Sequence, residues 1–479
     1  MKTLNIYGIA LLSMLAFSAC DKELSTPPPN AKVNGTAIID QKTAQIVLNG
    51  VYYRFANASS TQISWTSQNV APGMLTGMLA YAFGGAYQIE SNINLNAMLI
   101  PSIWTNNYQL LAQANGFIEG VTALGDHDFA TPGRKAEMLA EARYVRAHAH
   151  FKLLLYFSEW KDLGSKNGVL LRTELGGLST VIKSRNTVAE SYDAILSDLD
   201  YAVANGPENN PNYFVNKYAA MALEARVLLT RGQPADITKA LALTNMVIGS
   251  NKYQLEPNLK DIFYSKGLAS KEVILGLRPQ INQEMNREIQ SNNFRLTASS
   301  GFAAKKAFRT LLSGDPRQTW MIGVKTNRVG HPDDEYFTKY GAWPAASATQ
   351  LSETQYAIRL SEVYLMRAEA LARSGGSLID AKADIKLVMA KAGVTIFALV
   401  DAASTSEEVW IQAYYETLRN LSTEDGIDWN ALVRFPLATI TSLRPTITSV
   451  NQLWFGVPVA EFQTNPMFGS QNAGGYPVQ

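Results

Sequence analysis

Cysteine is nearly absent: the 479 residues hold one, Cys20, so no disulfide can form within the chain. The fold has to rest on packing and polar contacts. Histidine is scarce too. His127, His148, His150 and His331 include no His-Glu-X-X-His pattern, and His148 and His150, two apart, face different sides of a helix, so no metal clamp is expected. There is no Gly-X-Ser-X-Gly elbow and no phosphate-cradling glycine loop, which argues against nucleophilic triads and nucleotide chemistry. An excess of either charge is also missing. Lys plus Arg number 42 against 41 Asp plus Glu, a balance that excludes nucleic acid as the expected partner. Paired carboxylates for glycoside cleavage need only lie about 5–9.5 Å apart in space. Glu90, Asp315, Asp333, Asp334 and Glu335 are available for that, but are read here as solvated or turn-forming acids.

What is present begins with the N-terminus. Met1 to Cys20 carries Lys2, an apolar run from Ile9 to Phe17 and small residues just ahead of the cysteine, the layout of a signal peptide and too short to span a bilayer. Phe17-Ser18-Ala19-Cys20 resembles a lipobox, in which the cysteine becomes the new N-terminus and carries a lipid that holds the protein on a membrane. The organisation expected is therefore a signal peptide over 1–19, a lipidated cysteine and flexible tether over 20–35 with Pro27-Pro28-Pro29, and a single domain over 36–479.

That domain reads as mostly α. Hydrophobic residues make up 47% of the chain, enough for a large core. Helical spacing of apolar residues recurs over 40–57, 103–122, 134–157, 187–205, 215–231 and 237–250. Gln355 to Arg373 holds neither Gly nor Pro and consists of strong helix formers, so it predicts one helix of about five turns with Arg359–Glu362 and Glu369–Arg373 side-chain pairs. Gly375-Gly376 ends it, and a partner helix starts at Ser377. Helix pairs at about 104–255 and 355–391, with alanines at packing positions, follow tetratricopeptide-like logic, each hairpin burying its apolar face against the next. Glu272 to Leu277 predicts one short strand. Two stretches differ in texture. Residues 58–103 and 256–350 are polar and rich in aromatics, and they predict long irregular loop regions on the ligand side.

Several segments resemble the SusD/RagB family, the nutrient-binding outer-membrane lipoproteins of Bacteroidetes. The IRLSEVYLMRAEA run, the AEARYVRAHAHFKLLLYF helix, Asp315-Pro316-Arg317, Lys339-Tyr340 and the C-terminal Leu453-Trp454, Asn465-Pro466, Gln471-Asn472 and Gly475-Tyr476 carry the resemblance in order. The chain departs from the pattern at Asp428, where Arg is usual, and at Ala431, where Asp is usual, which predicts a rewired buried ion pair. The resemblance implies a cell-surface protein that captures an oligosaccharide and passes it, without bond cleavage and without cofactor, to a SusC-like TonB-dependent importer. A peptide-binding relative would carry the same motifs, and a helical-repeat scaffold without a small ligand is the third reading. Sugar rings lie on aromatic faces while amides satisfy their hydroxyls, so the expected ligand residues are Trp65, Gln68, Asn69, Tyr81, Tyr87, Trp320 and Trp343. Arg317 is assigned to its turn.

Overall fold

A computed structural model describes residues 37–56, 64–81, 87–93, 100–177, 181–278, 294, 301–325, 333–340 and 349–477. The signal peptide, Cys20 and its tether lie outside the described residues, as do Trp343 and the side chain of Tyr87. The chain is 59% helical, with few short strands, as its composition predicts.

The helices stack in chain order. After α1 (Gln41–Phe55) and α2 (Ser64–Leu75) come α3 (Ile100–Thr122), α4 (Arg134–Phe157), α5 (Val188–Asn205), α6 (Lys217–Arg231) and α7 (Pro234–Gly249). From α3 onward each packs on the next. Their ends are written in the sequence. Thr187 accepts from the Glu190 N–H at 3.1 Å while Glu190 reaches back to the Thr187 N–H at 2.8 Å, a reciprocal cap that satisfies two donors the helix cannot. Asn216 caps α6 through the Tyr218 and Ala219 N–H groups. At the other end of α6, Gly232 takes φ 74°, a left-handed turn that glycine adopts without steric cost. Ala219, Ala220, Ala222 and Ala225 are all fully buried, and their small size lets neighbouring backbones approach.

The stack closes over a long detour. α7 packs on α8 (Leu360–Arg373), more than a hundred residues later, and α8 then packs on α9 (Leu378–Lys391) and α10 (Ser406–Leu421). The main core cluster draws residues from Ile38 to Tyr476, and a second, smaller one joins α8, α9 and α10 through Leu365, Ala372, Ile385, Val388 and Val409. The short α11 (Ile427–Val433) follows a tight turn, and α12 (Val459–Thr464) lies near the C-terminus.

Gln355 to Arg373 is not one helix. Gln355–Arg359 is a strand, β6, paired antiparallel with β2 (Val273–Leu277), and the helix begins at Leu360. Helix propensity loses here to tertiary pairing. Residues Tyr356 to Arg359 are all buried, and β2 supplies the backbone partners a buried strand requires. The Arg359–Glu362 pair consequently does not form. Arg359 instead donates to Glu272 Oε1 and Glu424 Oε2, each at 2.6 Å, and Glu362 accepts from Arg226 Nε at 2.8 Å. The Glu369–Arg373 pair is present at 2.7 Å. Glu369 also receives Arg434 Nη2 at 2.6 Å, one of several buried ion pairs of the divergent 411–434 segment, beside Glu416–Arg317, Glu424–Arg359 and Asp425–Arg226; the rewired pair lies here. Asp428 and Ala431 take no part in it.

The described residues of the two irregular regions hold regular elements, and these meet. Within 58–103, residues 64–75 form α2. Within 256–350 lie a short π-helical turn, Ile262–Lys266, and several strands. Strands β1 (Leu79–Tyr81), β3 (Phe302–Ala304), β5 (Glu335–Phe337) and β4 (Ile322–Lys325) form one antiparallel sheet in the order β1-β3-β5-β4. Leu79 pairs with Ala304, and Ala303 with Tyr336. Segments more than two hundred residues apart thus share one small platform.

Candidate ligand-binding face

Three of the expected ligand residues are core. Trp65 is 2% exposed; its indole N–H donates to the Phe55 carbonyl at 2.6 Å and its ring stacks on His148, centroids 5.7 Å apart. Gln68 and Asn69, on the same helix, are also buried. Asn69 Nδ2 donates to Gln355 Oε1 at 2.5 Å, and Asn69 Oδ1 accepts from the Asp425 N–H at 3.0 Å. The polarity that reads as a loop is that of a helix whose amides and hydroxyls find partners inside; Ser67 Oγ and Ser102 Oγ, 2.7 Å apart, are another such pair. These side chains face no solvent, which removes them from any ligand surface.

Tyr81 and Trp320 remain at the surface. Tyr81, half-buried on β1, packs its ring 5.3 Å from that of Phe302. Trp320, half-buried just ahead of β4, sits 6.0 Å from both Phe263 and Tyr264, the latter edge-on. The Tyr264 hydroxyl donates to the Thr338 carbonyl at 2.7 Å, which fixes that ring. Because β1 and β4 are opposite edges of the sheet, Tyr81 and Trp320 belong to one platform without touching.

A cavity of about 340 Å³ opens between the C-terminal turn of α1, the connection into α6 and the end of β2. Its walls include Tyr52, Tyr53, Tyr213, Phe214, Leu277 and Arg278. α1 places Tyr52 and Tyr53 at its C-terminal turn, β2 ends at Leu277, and the short connection into α6 supplies Tyr213 and Phe214. The rings of Tyr52 and Phe214 meet edge-on at 4.8 Å, and Tyr213 lies 4.8 Å from Phe214. Tyr52 is locked: its hydroxyl donates to Glu141 Oε2 at 2.5 Å and accepts from the Val215 N–H at 2.9 Å. Burial, followed by the Glu141 charge, pushes the Tyr52 phenol well above its ordinary range, so it stays protonated. Tyr53 is 36% exposed. Four rings of which one is fixed and one is open make a preorganised apolar wall at low entropic cost.

A second cavity, about 490 Å³, lies between α3 and α12 and includes Trp104 and Tyr108. It is larger, but Trp104 is already covered by Tyr108 at 4.8 Å and Phe157 at 5.0 Å. An indole so enclosed has little face to offer a sugar ring. The smaller cavity is the better aromatic site.

Two family models match the chain: one described as starch-binding and associating with the outer membrane, over residues 22–229, and that of the SusD family, over residues 284–427. The chain belongs to the SusD/RagB family. A SusD-like protein of Formosa agariphila is 24% identical over 304 residues, covering 60% of this chain and 55% of that protein, so the chain spans about half the length of that curated relative. A SusD superfamily protein of Bacteroides thetaiotaomicron superposes with a TM-score of 0.75 at 20% identity, covering 91% of this chain and 100% of that one. A laminarin-binding SusD-like protein gives a TM-score of 0.72 at 20% identity over 91% of this chain and 99% of the other. At such identities the superpositions speak for the fold.

The SusD family is a carbohydrate-binding, non-catalytic group. Several acids of this chain are held in ion pairs. Asp315 and Glu416 both accept from the fully buried Arg317, Glu90 pairs with Lys305 at 3.1 Å, and Glu335 pairs with Arg309. Among the described residues no group of three or more His, Cys, Asp or Glu side chains could hold a metal ion. No described helix is long and apolar enough to cross a membrane.

Sequence reasoning missed Tyr52, Tyr53, Tyr213, Phe214 and Arg278. The one signal available was local: Tyr52-Tyr53 ends a helix and Tyr213-Phe214 ends a Pro-Asn turn, both on boundaries with connecting segments. Their convergence is a fact of three dimensions.

Proposed function

We propose that the protein captures an oligosaccharide at the cell surface and hands it, uncleaved, to a SusC-like TonB-dependent importer in the outer membrane. In this reading residues 1–19 are removed, Cys20 carries the lipid, residues 20–35 form the tether, and 36–479 act as one binding domain. The observation that carries the proposal is the aromatic cavity between α1, the connection into α6 and the end of β2, walled by Tyr52, Tyr53, Tyr213 and Phe214. Rings of this kind bind the C–H faces of sugars through dispersion and apolar burial, while nearby amides and hydroxyls set orientation. Tyr81 on β1 and Trp320 just ahead of β4 form a separate aromatic surface that this reading keeps as a candidate for sugar contact. The laminarin-binding neighbour supports a glycan over a peptide.

Isothermal titration of the purified chain against plant, host and microbial polysaccharides and a peptide digest tests this. Saturable heat from one glycan is the expected result. Tyr53→Ala should then weaken that glycan about three- to tenfold, the worth of one aromatic contact, with unchanged circular dichroism confirming that the variant folds. Heat from the digest alone would replace oligosaccharide by peptide. Heat from neither would end the capture reading.

A further inference from the structure

The charge of the aromatic cavity narrows its ligand. Among the described residues that line it, Arg278 carries the one charge and no carboxylate is present. The guanidinium lies over the Tyr213 ring, 5.3 Å from its centroid, at an exposed position at the end of β2. No described carboxylate pairs with it. Many of the chain's arginines are matched to acids: Arg226 to Glu362 and Asp425, Arg359 to Glu272 and Glu424, Arg146 to Asp198, Arg367 to Asp384 and Arg434 to Glu369. Arg134, close behind the cavity wall, is matched to Glu141 at 2.8 Å. Arg185 and Arg444, which also lack an acid, spend their donors on backbone carbonyls, whereas Arg278 has neither an acid nor a carbonyl partner among the described residues.

The remaining polar groups lean the same way. Asn49 Oδ1 already accepts from Gln45 Nε2 at 3.1 Å, which leaves its amide N–H groups as the part able to donate. The Tyr52 hydroxyl is committed to Glu141 and Val215. A neutral sugar presents hydroxyls that call for acceptors as well as donors, and carboxylates are the strongest acceptors a protein has. This lining sets a planar cation beside the Tyr53 and Tyr213 hydroxyls and the Asn49 amide, with no carboxylate among its described residues. Its natural complement is an anion with two oxygens in one plane, met by the guanidinium fork.

Resting on the glycan reading above, we infer that the sugar seated in this cavity is a uronic acid, its ring against Tyr53 and Phe214 and its carboxylate on Arg278. The ligand class is thus an acidic oligosaccharide.

The test uses the full chain and matched probes: tetragalacturonate, an oligomannuronate and a glucuronic-acid-bearing xylo-oligosaccharide, each beside its carboxyl-reduced counterpart. At least one uronide should bind about tenfold more tightly than its reduced form, the worth of one charge-assisted pair, and the gap should shrink as salt rises from about 50 to 500 mM. Arg278→Gln should abolish the gap, and Arg278→Lys, which keeps the charge but loses the fork, should leave part of it. Because Arg278 is exposed, unchanged circular dichroism of both variants separates lost recognition from lost fold. Equal affinity for uronide and reduced form overturns the acid preference and leaves glycan capture intact. Binding confined to neutral glycans overturns it too, and silence toward every glycan overturns both readings.

Discussion

Replacing Asp425 with alanine is expected to lower the unfolding free energy by about 5 kcal/mol, the upper end of what breaking a buried ion pair costs. Two cations and a histidine converge on this carboxylate, and burial holds the His148 imidazole below the usual histidine range. Arg226 Nη1 donates to Oδ2 at 2.5 Å, Lys152 Nζ lies 2.9 Å from Oδ1, and His148 Nε2 lies 3.3 Å from Oδ1. All four side chains are essentially sealed from water. Burial alone would push the Asp425 carboxyl up; Lys152, His148 and Arg226 together outweigh it and hold the group well below the usual carboxylate range. Removing it strands Arg226, which retains Glu362, and Lys152, which retains only the backbone carbonyl of residue 425. The depressed folded-state value also fixes a pH dependence. The stabilisation is complete above the unfolded value of about 3.8 and is lost as pH falls through the folded one, because the unfolded chain then takes up a proton that the folded chain resists. Urea unfolding at pH 7 followed by tryptophan fluorescence measures the effect. A loss below about 1 kcal/mol would show that the cations find water or other acids, and that Asp425 is not their common anchor.

Asp425 also shows where the sequence was legible and where it was not. The repeat helices could be read from it because local signals agree: α4 runs over Arg134–Phe157 as its composition predicts, and Thr187, Asn216 and Ser377 cap where caps belong. The junctions could not. Thr423, Asp425 and Gly426 all take positive φ, and a Cβ at Gly426 would meet Tyr156 Oη at 2.7 Å and the Gln68 carbonyl at 3.0 Å. This strained turn is held against α2 by the Asn69 contact, a pairing of residues 356 apart that no periodicity foretells. The same blindness explains why Gln68 and Asn69 read as ligand amides and Gln355–Arg359 as helix. Polar groups were visible; their partners were not. The aromatic cavity escaped notice for a related reason, since its rings come from α1 and the 211–216 connection and its cation from the end of β2, each unremarkable in its own stretch of sequence.

One turn further on, Asp428→Asn is expected to raise stability at pH 8 by roughly 3–4 kcal/mol and to change it little at pH 4, taking about 1.4 kcal/mol for each tenfold difference in proton affinity between the folded and unfolded chain. Asp428 is fully buried at the start of α11. Its Oδ1 accepts from the Trp429 N–H at 2.9 Å, while Oδ2 has no partner among the described residues. Burial pushes this carboxyl up to about 7, against a pull downward from the Trp429 N–H and the Lys339 charge. Lys339 cannot offset the burial, because its own Nζ is committed to Glu424 Oε1 and to the carbonyls of Asn420 and Ser422. The Tyr156 and Tyr414 phenols, both buried and both raised above their ordinary values, add no cation to face it. A carboxyl whose folded value exceeds its unfolded one takes up protons on folding. Its penalty is therefore absent below about pH 4, grows as pH rises toward 7 and is constant beyond. Asparagine keeps the neutral, hydrogen-bonding shape and removes the titration. Asp425 fails on the acid side and Asp428 on the alkaline side, so the native chain should be most stable at mildly acidic pH, and the variant should hold its plateau to higher pH. Unfolding curves at pH 5, 6, 7 and 8 decide between the two cases: parallel curves for variant and native protein would mean that Asp428 is already ionised without penalty, compensated by water or by Lys339, and that the acidic optimum has another source.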